Sequence, residues 1–400
     1  MTVSFNSDVT LKLEAAFDGS GPFAAAPSWT DISSYLYDFR VSFGRSLGAT
    51  PTMKTGSFMF NLDNNDSRFT PGNTSGAYTP YVRTGVPVRL VATYSATDYP
   101  LFYGSVVSWT VAYPNLKDQV TRVVAQDAMR GLRLARSFDT EVEEAAHTRI
   151  GNLLDTAGFP AGLRNLETST VQVQPFTGTG ETVLDLIRQV ADTDGGLFYI
   201  DPSGDARFHD SGFRDGATPV ATFGDSGSDL RYSYAEFGMD DSDVWNQAVI
   251  STYEQDGYPA YTANAEAPTS QSVYGVRALQ LSTMHVSDSD AFSYASDLVS
   301  IWRKPWFKVE RIDIDPAKAE RVTSGAWATT LGFDIGQMIT VKQTPGTGAA
   351  IDLDLFVESV THSANAKTRT WDTTVGLTAA LSDGLTPSGS LTPSGSLEPT

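Results

Sequence analysis

The sequence predicts a mainly β protein interrupted by an α+β insert, and three observations predict it. Apolar and polar residues alternate through the first 140 positions, with Gly-, Pro- and Asn-rich turns between the runs. Helical spacing then replaces the alternation, and strand-type runs return after Asp229.

In the first region, Phe39, Val41 and Phe43 alternate with Arg40 and Ser42 and stop at Gly44. Phe58-Met59-Phe60-Asn61-Leu62 runs into the turn Asp63-Asn64-Asn65-Asp66. Strands at 86–94, 101–113 and 119–125 follow at the short intervals of an antiparallel barrel or sandwich, so residues 1–140 are expected to form one strand-rich domain. Beyond it, Ile150, Leu153, Leu154 and Ala157 recur at helical spacing, with Gly158 as the C-cap. Val183, Leu184, Ile187, Val190 and Ala191 predict a second helix, stopped by Gly195-Gly196. Leu197-Phe198-Tyr199-Ile200, the turn Asp201-Pro202-Ser203-Gly204 and Ala206-Arg207-Phe208 read as strand, turn and strand, so 141–224 is the α+β insert. Residues 225–384 carry strands at 244–253, 309–314, 338–341, 353–360 and 370–377. One helix, 287–303, interrupts them: Ser287 is its N-cap, Ala291, Tyr294, Leu298 and Trp302 share a face, and Pro305 ends it. The repeat Leu-Thr-Pro-Ser-Gly-Ser in 385–400 has little to bury and is expected to be a flexible tail.

The chain has 400 residues and a formal net charge of −19. Residues 1–140 hold 12 Lys/Arg against 11 Asp/Glu, whereas 141–400 hold 16 against 36. A surface this acidic repels phosphates, which argues against a sequence-reading nucleic-acid binder and against binding to anionic lipid. With no cysteine, disulfides, thiolate metal sites and cysteine nucleophiles are excluded. The four histidines, His147, His209, His285 and His362, are too scattered to suggest a metal site. No basic stretch followed by an apolar core marks the N-terminus, so no secretory signal is expected, and no apolar run reaches the roughly 18 residues of a membrane span.

Local motifs point to no activity. Gly224-Asp225-Ser226-Gly227-Ser228 approaches a serine-hydrolase string, but His147 falls in the insert, and a solvated acidic turn explains the string better. Asp63-Asn64-Asn65-Asp66 lacks the spaced ligands of a calcium loop and suits a tight turn. Gly178-Thr179-Gly180 has no following Lys and reads as the lead into a capped helix rather than a phosphate loop. His209 and His362 flank strands as half-buried edge residues, and Trp29, Tyr35, Trp109, Trp245, Trp302, Trp306 and Trp371 suit a core or a subunit contact.

Several strings, in order, resemble the minor tail proteins of actinobacterial phages with long non-contractile tails, of the tail-hub type. They are Trp29-Thr30-Asp31-Ile32-Ser33-Ser34-Tyr35, then Phe60-Asn61-Leu62-Asp63-Asn64-Asn65-Asp66-Ser67-Arg68-Phe69-Thr70-Pro71 and Tyr78-Thr79-Pro80-Tyr81-Val82. Gly85-Val86-Pro87-Val88-Arg89-Leu90, Leu101-Phe102-Tyr103-Gly104, Val107-Ser108-Trp109 and Gly195-Gly196-Leu197-Phe198-Tyr199-Ile200-Asp201 continue the match. Tyr274-Gly275-Val276-Arg277 and the stretch from Trp371 to Leu377 complete it, so the resemblance covers most of 1–380.

The resemblance implies a structural protein without catalytic residues, cofactor or metal, related in fold to the baseplate hub of contractile phages. It implies a homotrimer in which each chain supplies two tube-like β-barrels, 1–140 and 225–384, making a pseudo-sixfold ring at the virion tail tip after assembly in the host cytoplasm. Its partners would be the distal tail protein, the tape measure protein and other tip proteins, with DNA passing through unbound. In such a ring Asp225, Asp229, Glu236, Asp240, Asp241 and Asp243 would face the channel or a neighbouring subunit, or form a merely solvated acidic face. The family's additional peptidase, lysozyme or receptor-binding modules are not expected in a chain that stops after the repeat. Two alternatives stay open: a tail-tip receptor- or cell-wall-carbohydrate-binding protein using Trp29 or Trp306, and a hydrolase using Ser226 or a carboxylate pair.

Overall fold

The computed structural model describes residues 3–4, 9–24, 26–47, 52–115, 118–252, 260–347 and 350–379, so the 385–400 repeat lies outside the described residues. Alternation dictates the largest element. Val9, Leu11 and Leu13 point inward from Val9–Ala15, as do Phe39, Val41 and Phe43 from Leu36–Arg45 and Phe58, Phe60 and Leu62 from Met53–Asp63. These strands pair, with Pro87–Tyr94, Thr97–Ala112 and Val120–Gln126 between them, into one antiparallel run.

The run does not stop at the end of the first region. Leu36–Arg45 pairs antiparallel with Ile351–Asn365, from Gly44↔Ser359 to Asp38↔Asn365. The sheet continues through Thr370–Ala379 and Lys308–Ile314 to Tyr234–Gly238, and counts 14 strands in all. Ile351–Asn365 serves both halves: its first part pairs with Met338–Gln343, which carries Thr222–Phe223 in parallel on its other side. The mainly β class is as the sequence predicts, but the two strand-rich regions share one sheet. Among the described residues its path ends at Val3–Ser4 and Tyr234–Gly238 without closing on itself. Alternation tells which face of a strand is buried, not which strand lies beside it, so this seam is invisible before folding. The core is continuous across it: the Phe39 ring lies 5.4 Å from Trp371, edge to face, and Trp371 lies 5.4 Å from Trp327.

The insert follows its prediction with shifted bounds. Helices Ala146–Thr156 and Val183–Asp194 pack together, and Leu197–Ile200 and Ala206–His209 form the expected hairpin, extended in parallel by Arg164–Leu166. Thr182 caps the second helix by accepting the Asp185 amide, and Gly195 ends it in the left-handed conformation at φ 77°. A two-stranded ribbon already begins at Arg136, and Thr222–Phe223 belongs to the large sheet.

The second region departs most. Gln247–Thr252, expected among the second set of barrel strands, sits instead in a separate three-stranded sheet, antiparallel to Thr262–Glu266 and parallel to Ala278–Thr283. Helix Asp288–Trp302, capped by Ser287 as predicted, covers it with Ala291, Ala295 and Val299. This unit has its own core of Ala248, Ile250, Ala263 and Ala265. Three helices of this region went unforeseen, Pro268–Tyr274, Pro316–Val322 and Ala326–Leu331, although Asp315 before Pro316 is a sound N-cap with proline at the first helical position. No described helix is long and apolar enough to cross a membrane.

The seam depends on one glycine. Gly44 has φ 115°, and a Cβ built there would lie 2.3 Å from the Glu358 carbonyl oxygen and 2.5 Å from Ser359 Cα. Both a left-handed backbone and a backbone-to-backbone approach therefore demand glycine. Gly44→Ala is expected to lower unfolding stability by about 2–4 kcal/mol in urea denaturation. Gly21→Ala, with nothing within 4 Å of the added atom, is expected to change it by less than about 0.5 kcal/mol.

Candidate functional site

A cleft of about 1500 Å³ lies where the insert, the small three-stranded unit and the large sheet meet. The end of helix Val183–Asp194 forms one wall, helix Asp288–Trp302 another, and Phe356, Glu358 and Thr378 of the large sheet the third. Of Ala291, Tyr294, Leu298 and Trp302, expected on one face, the last three line this cleft, with Tyr294 and Leu298 also packed against the small unit's core, whereas Ala291 lies within that core beside Ala295 and Val299.

Its most constrained group is Glu358. The strand Ile351–Asn365 bulges between Val357 and Ser359, just where it meets Leu36–Arg45. The Glu358 carboxylate is wholly buried there. Arg45 donates through Nη2 at 2.9 Å and also through Nε, while Arg214 donates from 3.0 Å. The Arg214 guanidinium also lies 4.4 Å from the centre of the Phe356 ring. Burial alone would raise this carboxyl, but Arg214 and Arg45 outweigh it and hold it below the usual carboxylate range. No motif flagged Glu358; the available signal was one acid inside the otherwise apolar run Leu355-Phe356-Val357 to Val360.

The cleft holds further titratable groups. Asp192 is open to the water in the cleft, yet the surrounding walls desolvate it and push its carboxyl up to about 6, against the pull of Arg188 and Arg45. Asp194 accepts the Ser211 amide at 2.9 Å and the Ser169 hydroxyl, and burial raises it. The His285 ring, 2.7 Å from the Thr283 hydroxyl, is lowered by burial. Glu358 pairs with arginines and Asp194 accepts an amide and a hydroxyl, so these two carboxylates tie the walls of the cleft together.

The six acids singled out in the sequence do not converge there. Asp225 ties its loop to the end of Met338–Gln343 by accepting the Thr344 amide at 2.8 Å, and the Asp229 carboxylate lies over Gly224. Glu236 is exposed on Tyr234–Gly238 and accepts the Tyr234 hydroxyl at 3.1 Å. Lys308 draws Asp240 and Asp243 together at 3.1 and 2.9 Å, along with Glu310 at 2.6 Å. Ser242 and Lys308 hold Asp240 down to about 2, and Asp241 pairs with Arg277.

The other sequence candidates are used internally. Asn64 accepts the Phe69 amide, Asp63 the Asn65 amide, and Asp66 pairs with Arg68, so this string is a self-capped turn. His147 accepts the Ser169 amide at 3.1 Å, and no hydrogen bond among the described residues joins Ser226 to a histidine. No group of three or more metal-binding side chains converges among the described residues. Trp371 is buried, while Trp29 and Trp306 are half-buried with their faces covered by Arg89 at 4.4 Å and Lys304 at 4.7 Å. His362, expected at an edge, is buried on a strand paired on both sides, 3.0 Å from the Thr373 hydroxyl, and burial pushes its imidazole down to about 3.

No family model matches the sequence, and no curated protein matches it. Solved structures do match, along nearly the whole chain. A tail protein from Neisseria meningitidis MC58 superposes with a TM-score of 0.61 at 13% identity, covering 92% of this chain and 96% of its own. A 43 kDa tail protein of prophage MuSo2 from Shewanella oneidensis gives 0.57 at 12% identity, covering 94% and 97%. The prophage tail protein gp18 from Listeria monocytogenes EGD-e gives 0.50 at 11% identity, covering 92% and 94%. The fold is one shared with phage tail proteins. The likeness runs along nearly the full length of both chains in each pair.

Two outcomes follow from the buried groups. Glu358→Gln leaves two guanidiniums facing a neutral amide and is expected to cost about 3–5 kcal/mol in chemical denaturation, whereas Asp241→Asn at an exposed pair is expected to cost less than about 1 kcal/mol. His362 is neutral when folded and titrates near 6.5 when unfolded, so the unfolded chain binds more protons between those values. Stability is therefore expected to fall by about 1.4 kcal/mol per pH unit as pH drops below about 6, and His362→Gln is expected to remove that slope in urea titrations at pH 4 to 7.

Proposed function

We propose that the chain is a structural phage tail protein of the hub type, acting at the tail tip of a long non-contractile tail. In this reading three copies close into a ring that joins the sixfold tail tube, through the distal tail protein, to threefold tip components. The tape measure protein and other tip proteins are its further neighbours. The observation that carries the reading is the seam: one chain holds two strand-rich modules in a single sheet, fixed in relative orientation by Leu36–Arg45 against Ile351–Asn365. Two modules per chain give three chains six strand-rich positions, which is what matching a sixfold tube to a threefold tip requires. The full-length fold likeness to tail proteins supports the same role, and the carboxylates that tie the cleft walls together support a scaffold.

Charge adds a detail. Asp241 is paired with Arg277 and Lys308 is shared by Asp240, Asp243 and Glu310, whereas Asp225, Asp229 and Glu236 have no cation partner among the ion pairs of the described residues; all but Asp241 therefore keep negative charge to present to a channel or a neighbouring subunit. An acidic lining gives no counterion-release gain to passing DNA and would let it slide.

Mass photometry and negative-stain imaging of the purified chain, alone and mixed with the distal tail protein, test the proposal. A threefold particle with six peripheral densities is the expected result. A monomer under both conditions, or a particle of another symmetry, overturns the ring.

A further inference from the structure

The insert meets the second strand-rich region at another polar joint, next to the Glu358 cluster through Phe213 and Arg214. His209, on Ala206–His209, has Nδ1 2.8 Å from Glu167 Oε1 and Nε2 3.3 Å from the Tyr199 hydroxyl. That hydroxyl also lies 3.1 Å from Asp334 Oδ1, and the same carboxylate oxygen accepts the Ile335 amide at 2.8 Å. Tyr199 is buried within the Leu197–Ile200 strand, whereas Asp334 belongs to the loop before Met338–Gln343. The His209 ring stacks on Phe213 at 4.3 Å and 15°. Phe213 presses against Gly336, where an added Cβ would lie 2.2 Å from its Cζ. The other charged groups around the joint are Arg207, paired with Asp201, then Asp205, then Asp210, whose amide donates to Glu167, and Arg214, 5.5 Å from the Phe213 ring.

Counting protons makes this contact unusual. A phenol has one hydrogen to give, yet Tyr199 lies between two groups that accept in their usual neutral-pH forms, an imidazole nitrogen and a carboxylate. If Tyr199 donates to Asp334, then His209 Nε2 must itself carry a hydrogen for its contact to bond. With Nδ1–H also donating to Glu167, the ring is then an imidazolium. If Tyr199 donates to His209, then Asp334 must be a carboxylic acid donating back to the phenol. Either arrangement satisfies every contact and needs one proton beyond neutral His209 with ionised Asp334. Without that proton, two acceptors compete for one hydrogen and one contact becomes a repulsion.

We propose that Glu167, His209, Tyr199 and Asp334 hold one shared proton, which latches the insert hairpin to the Asp334 loop and whose loss at alkaline pH releases it. Burial raises the Asp334 carboxyl, which keeps a proton in the joint. The folded joint therefore binds a proton more tightly than the unfolded chain does. Its stabilisation is present at low pH and lost as pH rises through the joint's own titration.

Amide hydrogen exchange of the full chain at pH 5 to 9, corrected for the intrinsic pH dependence of exchange, tests the latch independently of any ring. Protection at Ile335 and along Leu197–Ile200 is expected to fall about tenfold towards the alkaline end, the factor for one lost buried hydrogen bond to a charged group. Tyr199→Phe, which removes the shared hydrogen, is expected to leave the corrected profile flat to within about twofold. Asp334→Ser, which leaves the phenol a single strong acceptor, is expected to give the same flat profile and serves if the tyrosine variant does not fold. A flat profile in the unsubstituted chain, or an undiminished fall in either variant, overturns the proposal.

Discussion

The buried Glu358 carboxylate is the contact on which the rest of the architecture depends. Moving a carboxylate out of water costs several kcal/mol, and that cost is offset only when charged donors with good geometry surround it. Here the donors come from distant parts of the chain: Arg45 ends a strand of the first region, and Arg214 follows the insert hairpin. Glu358 itself sits at the bulge of a strand in the second region. No two of these regions can satisfy it alone. The ion cluster is better understood as a device that admits one mutual arrangement of three regions than as a large net source of stability. Gly44 belongs to the same device, because only a residue without a side chain lets the neighbouring strand approach the bulge closely enough for Arg45 to reach inward.

From that junction outward, apolar packing carries the order into both halves. The edge-to-face series Phe39, Trp371 and Trp327 crosses the seam, so the core of one module is continuous with that of the other. A chain built this way joins its two halves through hydrogen-bonded strands and interlocked aromatic rings rather than through a linker. The small three-stranded unit is attached differently. Lys308, with Asp240, Asp243 and Glu310 around it, ties together the two chain segments that lead into and out of that unit. One lysine faces three carboxylates there, so the cluster keeps a negative charge of its own.

Local chemistry was legible wherever it was self-contained. The Ser287 cap, the Gly195 stop, the Asp201-Pro202-Ser203-Gly204 turn and the alternation through Phe39, Val41 and Phe43 each report a conformation decided by a few neighbouring residues. Partnership between distant segments was not. Gln247–Thr252 alternates as well as any strand of the large sheet, yet it pairs in parallel with Ala278–Thr283, and nothing in its own residues distinguishes the two fates. His362 looked like an edge residue because its position in sequence cannot reveal strands on both sides of it. The helix at Pro316 is the exception, a local signal that was present in Asp315-Pro316 and passed over.

By itself, then, the sequence determined the β-rich class, the α+β insert, the absence of cysteine chemistry and the caps and turns that bound its elements. All of these follow from periodicity, composition or side-chain-to-backbone bonds spanning a few residues. Only the tertiary structure decided that the two strand-rich regions are one sheet, that Glu358 gathers Arg45 and Arg214, and that His209, Tyr199 and Asp334 meet. The reason is physical: a lone acid or histidine within an apolar run acquires its charge state from groups that only long-range pairing brings within hydrogen-bond distance.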